Sequence, residues 1–205
     1  HIPLRNVHDA LPECLNLLLE LGEREPSRNG DVYVSPVPVI TTYERPWERV
    51  LFYEERDANP FFHFMESLWI LAGRNDVALP ATYAKQIRAY SDDGETLNGA
   101  YGHRLFHHFD FDSVEWAMRR LRRDGSDRRV VLSMWDPYQD PVTADAGTED
   151  VPCNTQIYLR VRQGALHMMV NCRSNDAIWG AHGANAVHFA FLLEYIARGV
   201  GVEQG

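Results

Sequence analysis

The chain has 205 residues, of which 45% are hydrophobic and 11% aromatic, and its formal net charge is -9 at pH 7. This length and composition suffice for one sizeable core, so we expect a single domain spanning residues 1–205. The acidic balance argues against a surface built for nucleic acid, since such binding depends on clustered lysine and arginine.

The three cysteines, Cys14, Cys153 and Cys172, lack the paired spacing of a disulfide framework or a zinc site. No apolar stretch reaches the roughly 20 residues that a membrane helix needs, and no signal peptide precedes the first helix. We therefore expect a cytoplasmic protein that binds no membrane. The chain begins at His1 and stops soon after a strong helical pattern, so we expect a domain lacking its C-terminal part.

The first half contains two helical patterns. Apolar residues recur at helical spacing over 7–21, and alternation over 31–40 predicts a short edge strand. A second helix is predicted over 61–72, capped by Asn59, with apolar side chains on most faces, so we expect it to be largely buried. Glu66 lies inside it, and a buried carboxylate is costly unless it is hydrogen-bonded or chemically used.

The second half mixes strand and helix signals. In chain order the patterns predict a glycine-punctuated loop over 98–104, a helix over 112–123, a strand over 130–132, a mobile acidic loop over 140–150, a hairpin of strands 157–161 and 165–170, and an apolar helix over 185–197. Helices interleaved with mostly antiparallel strands indicate a mixed α+β fold.

Several polar residues lie at the ends of these predicted elements. Cys153 lies where the acidic loop meets a strand, although a single cysteine is more often an inert buried side chain. Arg173 follows a strand, where an arginine either lies in a solvated turn or binds phosphate and lowers a thiol pKa. Arg128 and Arg129 precede a strand and would by themselves be solvated. Asn185 opens a helix, where it could be a simple N-cap or could read the carbonyl and N–H of a uracil.

Taken together, these residues resemble the thymidylate synthase family in type, order and spacing. The resemblance is carried by Pro152-Cys153, Arg173-Ser174-x-Asp176, Gly180, Asn185, Arg128-Arg129, Tyr101-Gly102 and Glu66-x-x-Trp69. It covers most of the chain from about Asn59 onward. The family implies a thymidylate synthase-like α+β fold, with a mixed, mostly antiparallel sheet packed with long buried helices and a sheet-mediated homodimer.

The resemblance also implies a chemistry. Cys153 would add to carbon 6 of dUMP, and carbon 5 would then attack the one-carbon unit of 5,10-methylenetetrahydrofolate, with no metal. Glu66 would organise proton transfers, Asn185 would select the base, and Tyr101 and Asn154 would complete the catalytic set. The implied phosphate ligands are Arg173, Ser174, Arg28 and, from a partner subunit, Arg128 and Arg129. The implied folate contacts are Asp176, Gly180, Trp69, Ile87 and Tyr90.

Three departures from the family pattern bear on the product. Asn154 replaces the usual histidine, Cys172 replaces a glutamine, and Ile87 replaces the tryptophan next to the folate, with Tyr90 at a second aromatic position. A looser, wetter site favours water over hydride as the final nucleophile. We therefore expect a dUMP hydroxymethylase, with a standard thymidylate synthase that makes dTMP and dihydrofolate as the alternative. A CMP or dCMP hydroxymethylase is less favoured, because Asn185 suits uracil.

Two further readings stay open. A catalytically silent nucleotide-binding homologue would retain the arginines, but it would have no use for Cys153 and Glu66 together. An unrelated cysteine hydrolase would need His167, His182 or His188 to activate Cys153, and none of these lies in a local signature of such enzymes.

Overall fold

The computed structural model describes residues 2–27, 30–148 and 150–205, so Arg28 lies outside the described residues. Within them the α-helices are α1 (Val7–Leu21), α2 (Pro60–Leu71), α3 (Ala78–Tyr83), α4 (Tyr101–Phe106), α5 (Ser113–Arg123), α6 (Asp140–Asp145) and α7 (Asn185–Val200). The strands are β1 (Ile2–Leu4), β2 (Glu23–Ser27), β3 (Gly30–Val34), β4 (Thr41–Tyr43), β5 (Val131–Ser133), β6 (Asn154–Arg162), β7 (Ala165–Cys172) and β8 (Glu203–Gln204). Two 3-10 helices, Glu54–Arg56 and Lys85–Tyr90, and a π-helix, Ala177–Ala184, complete the order.

The chain divides into two compact units. The first comprises the residues up to Pro60 together with Asp176–Ala190, and the second comprises Phe61–Asn175 together with Phe191–Gly205. The single domain expected from the sequence stays a prediction. None of the described helices is both long enough and apolar enough to cross a membrane.

In the first unit, α1 has the predicted bounds. The Asn6 side chain accepts a hydrogen bond from the Asp9 N–H and caps the helix, whose buried face includes Val7 and Leu11. Strand β1 pairs with β4 in parallel, and β2 pairs with β3 in an antiparallel, fully exposed hairpin. The predicted strand over 31–40 is thus shorter, ending at Val34. Its partner β2 was not predicted, because Glu-Arg-Glu-Pro-Ser shows no apolar alternation.

The second unit contains a four-stranded sheet in the order β5-β6-β7-β8. The β5–β6 and β6–β7 pairs are antiparallel and β7–β8 is parallel, which confirms a mixed, mostly antiparallel sheet. The predicted hairpin is present with longer strands. It turns at Gln163 (φ 52°) and Gly164 (φ 81°), two positive φ values that a two-residue type I′ turn requires. Leu132, Ile157 and Leu166 are fully buried and form part of the core.

Helix α2 has the predicted bounds to within one residue, but the expectation that it is largely buried is wrong. Phe61 is 77% exposed, and Phe64 and Leu68 are also exposed, whereas Trp69 and Ile70 are buried. Periodicity indicates how apolar a helix is, and it does not indicate which of its faces the rest of the chain covers.

Two predicted loops contain helices. Tyr101 begins α4, and Gly102 is needed there because a Cβ would lie 2.2 Å from the Ile70 carbonyl oxygen. This glycine therefore allows a close approach of α4 to α2 rather than a loop. The acidic segment 140–150 is also not a mobile loop throughout, since it begins as α6 and Asp140 is fully buried.

Candidate active site

Cys153 lies immediately before β6, half-buried, as the sequence predicted for the junction of a loop and a strand. The register of β6 against β7 shifts between Asn154 and Gln156, which places a β-bulge next to the thiol. At that bulge the Thr155 carbonyl accepts hydrogen bonds from the N–H groups of Met134 (2.9 Å) and Trp135 (3.2 Å). The backbone that follows Cys153 is therefore held in place.

Arg173 follows β7 and clamps the segment that carries Cys153. Its Nε donates to the Pro152 carbonyl, its Nη2 donates to the Val151 carbonyl, both at 2.9 Å, and its own N–H donates to the Cys153 carbonyl at 2.9 Å. The same Nη2 lies 3.9 Å from the Cys153 Sγ, and the guanidinium lies 5.9 Å from the centre of the Trp135 ring. This arrangement places a fixed positive charge beside the sulfur of the predicted nucleophile.

Asn154, Cys172 and Tyr101 form a polar cluster beside Cys153. Asn154 is fully buried, and its Oδ1 accepts from the Cys172 thiol at 2.6 Å. Asn175 Nδ2 in turn donates to the Cys172 sulfur at 3.5 Å. Burial raises the pKa of Tyr101, as do the nearby Cys153 and Cys172 thiols, while the Asn154 amide opposes the shift. The phenol thus lies close to both sulfurs and stays protonated at neutral pH.

Asp150 is a member of this neighbourhood that the sequence analysis missed. Its Oδ2 accepts from the Gly99 N–H at 2.9 Å, and its main-chain carbonyl accepts from Asn98 Nδ2 at 3.0 Å. Burial raises the pKa of the Asp150 carboxyl, against hydrogen bonds that lower it. The available signal was Gly99, two residues before Tyr101, since a Cβ there would lie 2.7 Å from Asp150 Oδ1.

A buried ionic network supports the start of α4. Arg104 Nη2 and Asp140 Oδ1 lie 2.8 Å apart with both side chains fully buried, and Arg104 Nε donates to the Asn98 carbonyl at 2.9 Å. Asp136 accepts from His108 at 2.9 Å, and its N–H donates to Asp140 at 2.8 Å. No local pattern indicated this network, because Arg104 and Asp140 are 36 residues apart and fall in separate elements.

The predicted residues on α2 and after α3 lie in different surroundings. Glu66 is half-buried on α2. Trp69 is buried against Ile70 and Ala100, and its indole N–H donates to Asp76 at 3.2 Å, so it is part of a core cluster. Ile87 and Tyr90 lie on the 3-10 helix Lys85–Tyr90, Ile87 half-buried and Tyr90 exposed.

The paired arginines precede β5, and both are exposed. Arg129 is tied to Asp127 by two hydrogen bonds, from Nε at 2.9 Å and from Nη2 at 3.0 Å. Asp127 is buried and also pairs with Arg120. Arg129 is therefore held in one orientation by a carboxylate.

The remaining predicted residues lie between β7 and α7. Ser174 is exposed. Asp176 caps the π-helix, with its Oδ1 accepting from the N–H groups of Ile178 (2.8 Å) and Trp179 (2.7 Å), and its carbonyl accepts from the Gly180 N–H. Asn185 has helical backbone angles (φ -63°, ψ -40°) directly after this segment, so the simple N-cap reading is wrong.

The first compact unit contains two contacts that the sequence did not suggest. The Arg56 guanidinium lies 4.1 Å from the centre of the Trp179 ring, and its Nε donates to the Ile178 carbonyl. His182, one of the histidines considered as a partner for Cys153, is buried, and its Nδ1 lies 2.9 Å from the Tyr43 hydroxyl. Burial lowers the pKa of His182 to about 4.

Comparison with known proteins places this arrangement in a family. The family model described as thymidylate synthase matches residues 13–205, which is nearly the whole chain. The chain therefore belongs to the thymidylate synthase family. A crystal structure of thymidylate synthase from T4 phage matches 70% of this chain and 54% of that chain, with a TM-score of 0.56 and 21% identity, which supports the fold.

Three individual relatives are similar to this chain over most of its length. A deoxyuridylate hydroxymethyltransferase of Pseudomonas phage M6 is 55% identical over 207 residues, covering 100% of this chain and 58% of that protein. A second deoxyuridylate hydroxymethyltransferase, from Bacillus phage SP01, is 37% identical over 178 residues, covering 82% of this chain and 46% of the phage protein. This chain thus spans about half the length of the phage relatives that it matches. A protein of Methanothermobacter thermautotrophicus named putative thymidylate synthase is 38% identical over 212 residues, covering 100% of this chain and 87% of that protein.

Proposed function

We propose that this chain transfers a one-carbon unit from 5,10-methylenetetrahydrofolate to carbon 5 of dUMP and forms 5-hydroxymethyl-dUMP. The observation that carries the proposal is the fixed Arg173 guanidinium 3.9 Å from the Cys153 thiol. Nucleophilic addition to a pyrimidine requires a sulfur nucleophile, and a cation beside that sulfur stabilises the charge that it carries in the reaction. The deoxyuridylate hydroxymethyltransferase of Pseudomonas phage M6, which is 55% identical to this chain, supports the same activity.

Cys153 would add to carbon 6 of the base, forming a carbon–sulfur bond and leaving carbon 5 as an enolate-like nucleophile. When bound, the folate supplies the one-carbon unit that carbon 5 attacks. Arg173 would stabilise the thiolate before addition and again when the sulfur leaves. The buried Tyr101 phenol, protonated at neutral pH, would serve as a hydrogen-bond donor beside the reacting ring.

The other roles rest on the family pattern. Glu66 would organise water and proton transfers around the base, and Asn185 would select uracil through its amide. The phosphate would be bound by Arg173 and Ser174, by Arg28, and by Arg128 and Arg129 of the partner subunit in a homodimer. Folate would contact Asp176, Gly180, Trp69, Ile87 and Tyr90. No metal is assigned to the reaction, and we propose a cytoplasmic enzyme built as one domain.

The product depends on what adds to the methylene left on carbon 5. Hydride from the reduced folate gives a methyl group, whereas water gives a hydroxymethyl group. Asn154 and Cys172 stand where the family usually has histidine and glutamine, and Ile87 stands where it has tryptophan. These replacements support a site that holds the reduced folate less tightly and admits water.

A second candidate is a standard thymidylate synthase that makes dTMP. It is favoured by the Methanothermobacter thermautotrophicus protein named putative thymidylate synthase, because this chain covers 87% of that protein's length. The two candidates share the step at Cys153 and differ only in the final nucleophile.

The test is incubation of the full protein with dUMP tritiated at carbon 5 and methylenetetrahydrofolate. We expect tritium release, a product heavier than dUMP by one hydroxymethyl substitution, and no dihydrofolate absorbance. Cys153→Ser should lower tritium release by roughly a thousand-fold or more, since the hydroxyl is a much weaker nucleophile. Cys14→Ala, at a buried cysteine of α1, is the matched control and should retain activity.

Each other outcome points elsewhere. Dihydrofolate with a methylated product would establish the thymidylate synthase alternative. Turnover of dCMP in place of dUMP would establish a cytidylate hydroxymethylase. Nucleotide binding without tritium release would identify a silent homologue and overturn the proposal.

A further inference from the structure

The main-chain carbonyls of residues 150–153 all accept hydrogen bonds. Arg173 donates at 2.9 Å to the last three, which are those of Val151, Pro152 and Cys153. The first carbonyl, that of Asp150, accepts instead from Asn98 Nδ2 at 3.0 Å. The segment that ends at Cys153 is therefore held by the end of β7 on one side and by the loop 98–100, which precedes α4, on the other.

The Asp150 side chain makes a second link to the same loop. Its Oδ2 accepts from the Gly99 N–H at 2.9 Å, two residues before Tyr101. The contact leaves no spare room, since a Cβ on Gly99 would lie 2.7 Å from Asp150 Oδ1 and 3.3 Å from the Pro152 nitrogen. Asp150 thus joins the loop before Tyr101 to the segment that carries Cys153 by two hydrogen bonds, one to its carboxylate and one to its carbonyl.

A partly buried carboxylate is costly, and the proposed reaction does not yet use this one. Burial raises the pKa of the Asp150 carboxyl, whereas the main-chain N–H groups of Gly99 and Asn98 lower it. Burial is also the main cause that raises the pKa of Tyr101, and the nearby Cys153 thiol and Asp150 carboxylate raise it further. Asp150, Tyr101 and Cys153 are therefore neighbours.

We propose that Asp150 is a positioning residue that sets the separation between the Tyr101 phenol and the Cys153 thiol. In the proposed reaction the thiol adds to carbon 6 and the phenol donates a hydrogen bond beside the same ring, so both groups must reach one ring at once. A misplacement of about 1 Å between groups that act together costs about 100-fold in rate. This role rests on the proposed function, because Asp150 acts through Tyr101 and Cys153.

The competing explanation is structural: the two hydrogen bonds would only stabilise the loop 98–100. A positioning residue affects kcat, the rate of the bound complex. The KM for dUMP, which depends on the predicted phosphate ligands Arg173 and Ser174, then changes little. A residue that only stabilises the fold lowers the free energy of unfolding and leaves the kcat of the folded protein unchanged.

The experiment measures steady-state tritium release from carbon 5 of dUMP at saturating methylenetetrahydrofolate, with urea unfolding of the same variants. Asp150→Ala should lower kcat by about 30- to 100-fold and leave the KM for dUMP within about three-fold. Asp150→Asn keeps a carbonyl oxygen that accepts from the Gly99 N–H, so kcat should stay within about five-fold. Asp145→Ala, at an exposed aspartate of α6, is the matched control and should leave kcat unchanged.

Gly99→Ala tests the same contact from the other side. The added Cβ meets the Asp150 carboxylate at 2.7 Å, so the loop or Asp150 must move, and kcat should fall about ten-fold with a similar KM. In the Asp150→Ala background the carboxylate is gone, so Gly99→Ala should lower kcat further by less than about three-fold. If Asp150→Ala does not fold, Gly99→Ala decides the question alone.

The remaining outcomes are separable. An unchanged kcat in folded Asp150→Ala or in Gly99→Ala would overturn the inference, and a loss of stability alone would establish the structural explanation. A loss of kcat in Asp150→Asn as large as in Asp150→Ala would also overturn it, because the hydrogen-bond acceptor is retained. Absence of tritium release from the unchanged protein would instead overturn the proposed function, and this inference with it.

Discussion

Both compact units bury polar side chains, and two of the buried polar clusters meet the cost of burial in opposite ways. In the second unit Arg104 keeps its charge and is paired with Asp140, both side chains being fully buried. In the first unit His182 gives up its charge, because burial lowers its pKa to about 4 and leaves a neutral imidazole against Tyr43. A buried group either keeps its charge beside a partner or loses it, and the two choices respond differently to mutation and to pH.

The buried Arg104–Asp140 ion pair supports the backbone that carries Tyr101. Arg104 lies one turn along α4 from Tyr101 and donates to both the carbonyl and the Oδ1 of Asn98. Asn98 also holds the carbonyl of Asp150, which leads into the Cys153 segment. Through Asn98, the ion pair therefore supports two parts of the candidate active site: the start of α4 and the segment that leads to Cys153.

The neutral His182 and its contact with Tyr43 support the π-helix segment instead. The Tyr43 hydroxyl contacts both His182 Nδ1 and the Ala181 carbonyl, at the point where the helix is kinked at His182 and Gly183. Burial accounts for the lowered pKa of His182. Protonation of His182 would therefore place a charge in a buried position, which is costly.

The largest predicted effect comes from breaking the buried ion pair. Arg104→Met should lower the free energy of unfolding by about 3–5 kcal/mol, because it leaves Asp140 buried without its cation. Arg24→Met, at an ion pair with Asp31 that is exposed on the β2–β3 hairpin, should cost about 0–1 kcal/mol. Urea unfolding of both variants measures the difference.

A double variant sharpens this test. Arg104→Met with Asp140→Leu removes both charges and should recover much of the loss, because the uncompensated carboxylate is gone. If Arg104→Met costs no more than Arg24→Met, the network does not support α4 as described.

A smaller effect should follow from crowding α4 without touching its charges. Gly102→Ala places a Cβ 2.2 Å from the Ile70 carbonyl oxygen, so α4 or α2 must move, at a cost of about 1–3 kcal/mol. Gly125→Ala is the matched control, since its Cβ would lie at ordinary contact distances, 3.6 Å from Val161 and 3.9 Å from the Leu121 carbonyl oxygen. That control should be neutral or stabilise the protein by up to about 1 kcal/mol. Equal effects of the two substitutions on the urea midpoint would mean that the close approach is not rigid.

Gly102 also shows why part of the site was predictable and part was not. The hairpin, α1, α2 and the position of Cys153 follow from local patterns, because turn glycines, caps and periodicity act over a few residues. Gly102 and Gly99 were read as loop markers, although one allows helix packing and the other makes room for Asp150. A glycine has the same letter in both roles, and only its distant neighbours distinguish them.

The same limit applies to charge. Asp140 was predicted to be part of a mobile acidic loop, since its partner Arg104 lies in another element. Asn154 was recognised as a departure from the family, but the donor that orients it, Cys172, lies across the β6–β7 pair and is linked only by strand register. Long-range pairing of this kind requires the folded structure.

The smallest predicted effect tests the neutral cluster through pH. The pKa of His182 is lowered from 6.5 to about 4, so the unfolded chain takes up the proton first as pH falls. Its contribution to stability is thus fully present above about pH 6.5 and is lost as pH falls towards 4, by about 2 kcal/mol between pH 7 and pH 5. His182→Gln should abolish this part of the pH dependence, whereas His167→Gln, at an exposed histidine of β7, should leave it intact. If urea midpoints of His182→Gln and the unchanged protein decline equally over that range, another group carries the titration, and the contrast between the two clusters does not hold.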